Sequence, residues 1–159
     1  MLFIIVYLYL YLTMIEMEII MNEYLYYERT PYYYETDQMG IIHHSNYIRW
    51  FEETRIDLLN KCNLCYETLE KLGIIIPVLS VSCEFKQYIT FNEPIRIYPK
   101  LESFTGLKFE LSYEIRDVKN KQLKAIGRSS HCFLNKEFKP IRLKKEFPDI
   151  YNKFATMNK

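Results

Sequence analysis

The chain has 159 residues, of which 49% are hydrophobic and 16% aromatic, and its 21 basic side chains nearly balance its 20 acidic ones. A chain of this length and composition is expected to fold as one domain with a sizeable core, which excludes intrinsic disorder. The net charge of +1 gives no concentrated basic face, so nucleic acid is not an expected partner.

The first segment, residues 1–21, carries no charged side chain until Glu16 and Glu18. Its apolar part is shorter than the ~20 residues that a spanning helix needs, and it lacks the basic start and cleavage site of a secretory signal. We expect a dispensable N-terminal extension ahead of a domain formed by residues 22–159. A membrane-associated tail is the less favoured alternative.

The four cysteines include one Cys-x-x-Cys pair, Cys62 and Cys65. No second pair and no nearby histidine complete a tetrahedral zinc site, so reduced thiols, buried or half-buried, are expected. No metal or redox cofactor is predicted, and a reducing cytoplasm is the expected location.

Secondary-structure patterns begin with an aromatic strand at residues 24–34, where Pro31 indicates an edge or a bulge. A polar stretch, 35–45, leads into a helix predicted over 46–62, with Ser45 or Asn46 as its N-cap. The helix is indicated by apolar residues that recur at steps of three and four, namely Tyr47, Phe51, Thr54, Leu58 and Cys62.

The rest of the chain predicts a short helix and four strands. The helix covers 66–72 and stops at Gly73. Three segments alternate between apolar and polar residues, which predicts strands with one buried and one solvated face. These strands cover about 79–86, 95–102 and 107–116, and a less regular one follows at 123–134. The expected fold class is α+β, a curved antiparallel sheet wrapped around one long helix, with sheet edges available for dimerisation.

The candidate chemistry lies in the polar stretch before the long helix, which contains Glu35, Asp37, His43 and His44. Unpaired N–H groups at a helix N-terminus can stabilise an oxyanion, and a carboxylate nearby can act as a base or as a nucleophile. Gly40 permits a sharp turn. The residues alone leave alternatives open, because an aspartate in this position is more often a turn or cap residue.

Two histidine patterns have simpler interpretations than metal binding. His43 and His44 are adjacent, but no third ligand is evident. His131 falls within a predicted strand and is expected to be a packed or edge histidine.

A longer motif makes the catalytic hypothesis more specific. The run Glu35-Thr36-Asp37-Gln38-Met39-Gly40-Ile41-Ile42-His43-His44-Ser45-Asn46-Tyr47, followed by Phe51-Glu52-Glu53-Thr54-Arg55, resembles the signature of hotdog-fold acyl-CoA thioesterases. The nearest branch is similar to the 4-hydroxybenzoyl-CoA thioesterase family, including its Tol-Pal-associated members. The resemblance extends from about Tyr24 to Leu143 and excludes residues 1–21.

The resemblance implies hydrolysis of acyl-CoA thioesters and a role for each matched residue. Asp37 would be the catalytic carboxylate, as general base or nucleophile. The His44 backbone N–H would polarise the thioester carbonyl, and its side chain would position water or substrate. Gly40, Asn46 and Tyr47 would shape and orient the loop and helix. A homo-oligomer, dimer or tetramer, is implied, with a second subunit completing the site.

The remaining charged residues are interpreted as structural. Glu52 and Arg55 are expected to form a helix-surface pair. Cations that could bind CoA phosphates are expected to be solvated, and none is assigned. These are Lys86, Arg96, Arg128, Lys139, Arg142, Lys144 and Lys145. Two alternative functions remain, a non-catalytic acyl-CoA-binding module and a hydratase or dehydratase of the same fold.

Overall fold

The computed structural model describes residues 25–157. The predicted N-terminal extension, residues 1–21, therefore lies outside the described residues. The described chain forms the predicted α+β arrangement, five strands and four α-helices. The strands are β1 (Tyr27–Arg29), β2 (Val78–Phe85), β3 (Ile95–Phe104), β4 (Lys108–Asp117) and β5 (Leu123–Cys132), and the helices are α1 (Ser45–Lys61), α2 (Tyr66–Lys71), α3 (Leu143–Glu146) and α4 (Pro148–Thr156).

The five strands form one antiparallel sheet in the order β1-β3-β4-β5-β2. Strands β3, β4 and β5 follow one another along the chain, so short turns join them. One of these turns contains Gly106, whose φ of 79° is a backbone conformation that glycine adopts without strain. The long crossovers from β1 and β2 leave room for α1 to pack across the sheet.

Helix α1 begins and ends within one residue of the prediction. Its buried face includes Trp50, Phe51 and Leu59, each at most 2% exposed. Phe51 stacks on Tyr113 of β4, with ring centroids 4.6 Å apart. A methyl group added at Gly127 of β5 would lie 2.2 Å from the Phe51 ring, so glycine is required there for the helix to approach the sheet.

The first predicted strand is wrong in extent. Only Tyr27–Arg29 pairs with β3, and residues 33–35 form a 3₁₀ turn instead of continuing the strand. Pro31 cannot donate a ladder hydrogen bond, and the Glu35 carboxylate accepts the Tyr32 N–H at 2.7 Å. These two features turn the chain back toward α1.

The predicted burial of one face of β2 is also wrong. Val78, Leu79, Val81 and Phe85 are 37–54% exposed, and only Cys83 is half-buried. The physical reason is position, because β2 is the last strand of the sheet and bonds only to β5. Alternation along the strand is present. Cys83 packs against the core and Phe85 contacts Tyr47 of α1, but Leu79 and Val81 on the same side of the strand stay exposed.

Two C-terminal helices were not predicted from the sequence. Helix α4 starts with Pro148 and buries Ile150 and Phe154. The Phe154 ring stacks on Phe104 at 5.2 Å and contacts the Phe133 ring edge-on at 5.1 Å. Proline at the first helical position and apolar residues four apart were the signals available in the sequence.

The structure also describes the four cysteines and the lengths of the helices. All four cysteines are free and half-buried. Within residues 25–157, no helix combines the length and hydropathy required to cross a membrane.

Candidate active site

Asp37 lies on a tight hairpin that leads into helix α1. Its N–H donates to the Ile41 carbonyl at 2.8 Å, and its carbonyl accepts the Gly40 N–H at 3.0 Å. Gly40 has a φ of 74°, so the turn uses the left-handed conformation that favours glycine. The Asp37 Oδ1 atom accepts the Met39 N–H at 2.8 Å. The carboxylate is therefore fixed through one oxygen while the residue stays half-exposed.

The His44 backbone lies at the start of α1. The predicted N-cap is wrong, because His44 occupies that position and makes no side-chain cap bond. Ser45 Oγ and His43 Nδ1 are 2.8 Å apart, and the Asn46 side chain bonds elsewhere. Among the hydrogen bonds within residues 25–157, none has the His44 N–H as donor. This amide is thus available at the positive end of the helix dipole.

The His44 side chain is exposed, and its ring centroid lies 4.0 Å from that of His43. The described residues contain no group of three or more His, Cys, Asp or Glu side chains placed to hold a metal ion.

Asn46 ties the loop to the helix. Its Nδ2 donates to the Glu35 carbonyl at 2.8 Å and to the His43 carbonyl at 3.2 Å. The His43 N–H donates to the same Glu35 carbonyl at 2.9 Å. One carbonyl therefore joins the beginning of the Asp37 hairpin to the start of α1.

Tyr47 packs inward from the first turn of α1. It is 3% exposed, and its ring lies 5.0 Å from Trp50 and 4.9 Å from Phe85 of β2. Burial raises the pKa of the Tyr47 phenol, so the hydroxyl stays protonated near neutral pH. The contacts make Tyr47 a packing residue beneath the hairpin.

The sequence places Glu35 among the reactive side chains of this stretch without assigning it a role, and in the structure Glu35 is only 4% exposed. Arg29 Nη2 donates to both carboxylate oxygens, at 2.8 and 2.9 Å, and Trp50 Nε1 donates to one of them at 2.8 Å. The Arg29 guanidinium also lies 4.8 Å above the Trp50 ring. We name Arg29, Glu35 and Trp50 the Glu35 cluster. No local sequence pattern indicates it, because its members come from three different elements.

Exposed aromatic side chains border the hairpin. The Ile42 N–H donates to the Ile89 carbonyl at 2.8 Å, which places the segment after β2 alongside the hairpin. Phe91 in that segment is 51% exposed and contacts Tyr33 edge-on, with ring centroids 5.7 Å apart. Tyr88 is 63% exposed. Exposed aromatic rings are therefore carried by the segments that flank the hairpin.

Comparison with known proteins identifies the family. The profile described as the thioesterase-like superfamily matches residues 33–154, which include the hairpin, α1 and the whole sheet apart from β1. This chain belongs to the thioesterase-like superfamily. The predicted enzyme class, a thioester hydrolase, is therefore confirmed.

Relatives and solved structures agree with that assignment. The chain is 34% identical over 128 residues to the "Putative acyl-CoA thioesterase YneP" of Bacillus subtilis, covering 80% of this chain and 92% of that protein. It is 31% identical to a "Putative esterase" of Aquifex aeolicus over 78% of this chain and 94% of that protein. The DHNA-CoA thioesterase of Staphylococcus aureus superposes with a TM-score of 0.78 at 33% identity, covering 82% of this chain and 88% of that one. The predicted hotdog fold is thereby confirmed.

A second buried polar cluster in this thioesterase-like chain corrects the interpretation of Arg55. Arg55 is 4% exposed and is not a surface residue. Its Nε donates to the Tyr66 hydroxyl at 2.9 Å, and its Nη1 lies 3.4 Å from His131 Nε2, whereas Glu52 is reached only at 3.5 Å. Arg55 follows Phe51 by four residues and precedes Leu59 by four, so its position belongs to the buried face of α1.

His131 lies at the centre of this second cluster, in agreement with the expected packed histidine. It is fully buried, and its Nε2 lies 2.8 Å from Ser129 Oγ, which in turn lies 2.8 Å from the Tyr113 hydroxyl. Burial and the Arg55 guanidinium lower the pKa of His131 to about 4, so its ring is neutral near pH 7. We name Arg55, Tyr113, Ser129 and His131 the His131 cluster.

Proposed function

We propose that this chain hydrolyses acyl-CoA thioesters, with Asp37 as the catalytic carboxylate. The observation that carries the proposal is the arrangement of the hairpin. The Asp37 carboxylate is held through one oxygen, and the hairpin runs directly into a helix N-terminus whose His44 N–H is free to bind a carbonyl oxygen. A fixed carboxylate and a free helix amide are the two parts that acyl transfer requires.

The reaction can proceed through Asp37 in two ways. As general base, its carboxylate takes a proton from water, the hydroxide oxygen bonds to the thioester carbon, and the C–S bond breaks as the thiolate takes up the proton. As nucleophile, it attacks the carbonyl carbon and releases the thiolate, and water then hydrolyses the mixed anhydride. Both routes consume one water and need no cofactor.

The start of α1 stabilises the charge that develops in either route. The carbonyl oxygen becomes an oxyanion when the tetrahedral intermediate forms. The His44 N–H and the positive end of the helix dipole both favour that charge. The His44 side chain is exposed and can position water or the thioester, while Gly40 and Asn46 hold the shape of the loop.

The aromatic border of the hairpin supports an apolar or aromatic acyl group. Tyr33, Tyr88 and Phe91 are exposed on the segments that flank the hairpin, and burial of their apolar surface would favour binding of hydrocarbon. The Staphylococcus aureus protein of the same fold is a DHNA-CoA thioesterase. DHNA-CoA therefore belongs in any substrate panel, along with short, long and branched acyl-CoAs.

The test of the proposed reaction is release of free thiol from that panel. We expect turnover of at least one acyl-CoA by the purified chain, with no added metal. Binding without turnover of any member would contradict the proposal and favour the acyl-CoA-binding module. Hydration of an enoyl-CoA without thiol release would favour the hydratase alternative.

Self-association through β2 forms part of the proposal. The outer edge of β2 carries exposed apolar side chains, Val78, Leu79, Val81 and Phe85, and unpaired edges of this kind associate. Phe85 also contacts Tyr47 beneath the hairpin, which connects this edge to the site. Light scattering of the parent should give a dimer or tetramer, and Val81→Lys should reduce the mass to that of a monomer. A parent that is monomeric at micromolar concentration would contradict this part.

A further inference from the structure

We infer that the Glu35 cluster is a positioning element that holds the Asp37 hairpin against the start of α1. The inference rests on the proposed role of Asp37 and adds a residue that does not touch the reacting atoms. Glu35 stands two positions before Asp37 and joins the base of the hairpin to β1 and α1, while backbone pairing with Ile89 and Thr90 holds its other strand.

The carboxylate of Glu35 fixes residue 35 on two sides. Arg29 belongs to β1 and donates to both oxygens, whereas Trp50 belongs to α1 and donates to one. The Tyr32 N–H donates to the second oxygen at 2.7 Å. The side chains of Arg29 and Glu35 are 9% and 5% exposed, so this ion pair, in which Nη2 alone contacts both oxygens, is shielded from solvent. Charge-assisted bonds of this kind have defined geometry.

The backbone carbonyl of Glu35 links this fixed residue to the start of α1. It accepts the His43 N–H at 2.9 Å and the Asn46 Nδ2–H at 2.8 Å. The two ends of the hairpin, residue 35 and residues 43–46, are thus joined at a single peptide group. If residue 35 shifts, the Asp37 carboxylate shifts relative to the His44 N–H, and a misplacement of ~1 Å at a reacting centre can lower a rate by about 100-fold.

The chain supplies a matched control for Glu35. Glu53 also accepts a hydrogen bond from Arg29, from Nη1 at 2.6 Å, but its side chain is 42% exposed and it lies in the middle of α1. Glu35→Gln and Glu53→Gln each remove one carboxylate from the same guanidinium. Only Glu35→Gln changes a residue whose own backbone lies at the base of the hairpin.

The primary readout does not depend on catalysis. Hydrogen exchange, measured by mass spectrometry over residues 37–43, should be at least about 10-fold faster in Glu35→Gln than in the parent and unchanged in Glu53→Gln, because the Glu35 carboxylate fixes the base of the hairpin and the Glu53 carboxylate does not. Trp50 is the single tryptophan of the chain, so its fluorescence should change in Glu35→Gln alone. Unchanged exchange in Glu35→Gln, or equal acceleration in both variants, would overturn the inference.

The kinetic readout separates positioning from general stability. On the best acyl-CoA, Glu35→Gln should lower kcat by roughly 10- to 100-fold with little change in KM, while Glu53→Gln keeps the parent kcat. If the parent hydrolyses no acyl-CoA, the proposed function fails, but the exchange experiment still decides whether Glu35 holds the hairpin.

A second variant covers the case in which Glu35→Gln does not fold. Trp50→Phe retains the aromatic ring and removes only the Nε1–H donor to Glu35. Faster exchange over residues 37–43 in Trp50→Phe supports the inference. Exchange at the parent rate contradicts it.

Discussion

Helix α1 contributes one residue to each of two buried polar clusters, and the clusters compensate their charge differently. In the Glu35 cluster, the Arg29 guanidinium faces a buried carboxylate at 2.8 Å. In the His131 cluster, the Arg55 guanidinium faces a neutral imidazole, and its nearest carboxylate, Glu52, is 61% exposed and 3.5 Å away. The first cluster is attached to the Asp37 hairpin, whereas the second lies between α1 and the centre of the sheet.

This difference in charge compensation predicts that the Glu35 cluster affects activity and that the His131 cluster affects stability. A paired and shielded charge keeps its geometry across neutral pH, which suits a positioning role. A buried guanidinium beside a neutral histidine is tolerable only while that histidine stays unprotonated. Acid should therefore act on the His131 cluster first, and its effect should appear in the free energy of unfolding.

The largest expected effect concerns acid and His131. Its folded pKa of about 4 lies below the unfolded value of 6.5, so the unfolded chain binds more protons between these pH values. Stability should be complete above pH 6.5 and should fall by on the order of 3 kcal/mol as the pH drops to 4. Urea denaturation across this range measures the loss.

One variant isolates the contribution of that histidine. His131→Gln replaces it with a side chain that does not titrate, so the pH dependence between 6.5 and 4 should flatten. Equal slopes in the parent and in His131→Gln would show that other groups cause the acid sensitivity.

A smaller effect is expected from Arg55→Met. Methionine fills similar space, but the Tyr66 hydroxyl and His131 Nε2 lose their contacts with the Arg55 guanidinium, at a cost of about 2 kcal/mol in unfolding free energy. The kcat of the folded enzyme should not change, because this cluster does not contact the hairpin. A large fall in kcat at parent stability would reverse the division of roles between the clusters.

The smallest effect is expected from Glu52→Gln. Its pair with Arg55 is long and its carboxylate is exposed, so the change in unfolding free energy should be below about 0.5 kcal/mol. Denaturation of this variant beside Arg55→Met tests whether the buried contacts of Arg55, and not its ion pair, stabilise the fold. A loss as large as that of Arg55→Met would restore the surface-pair interpretation.

The two clusters also show how far the sequence predicted the molecule. The long helix was predicted to within one residue because its apolar residues repeat at helical spacing over four turns. Arg55 was predicted on the exposed face of the helix because it is charged, although its spacing from Phe51 and Leu59 indicates the buried face. Strand β2 was given a buried face because alternation does not reveal where a strand lies in a sheet.

The candidate site was predicted only in part. Asp37, Gly40, His44, Asn46 and Tyr47 all fall on the hairpin or the first turn of α1, which is where the motif placed them, while their catalytic roles stay predictions. Glu35 was named as a reactive side chain, but its burial was not predicted, because its partners Arg29 and Trp50 are joined to it by folding and not by sequence spacing. Buried ion pairs between distant elements leave no periodic signal in a sequence.

The most direct test of the central claim is the rate of thioester hydrolysis by Asp37→Asn. Asparagine preserves the Oδ1 acceptor for the Met39 N–H, so the hairpin and the unfolding free energy should be retained. Removal of the carboxylate should lower kcat by about 100-fold or more on the best acyl-CoA of the panel. An Asp37→Asn enzyme that hydrolyses that substrate at the parent rate would contradict the account.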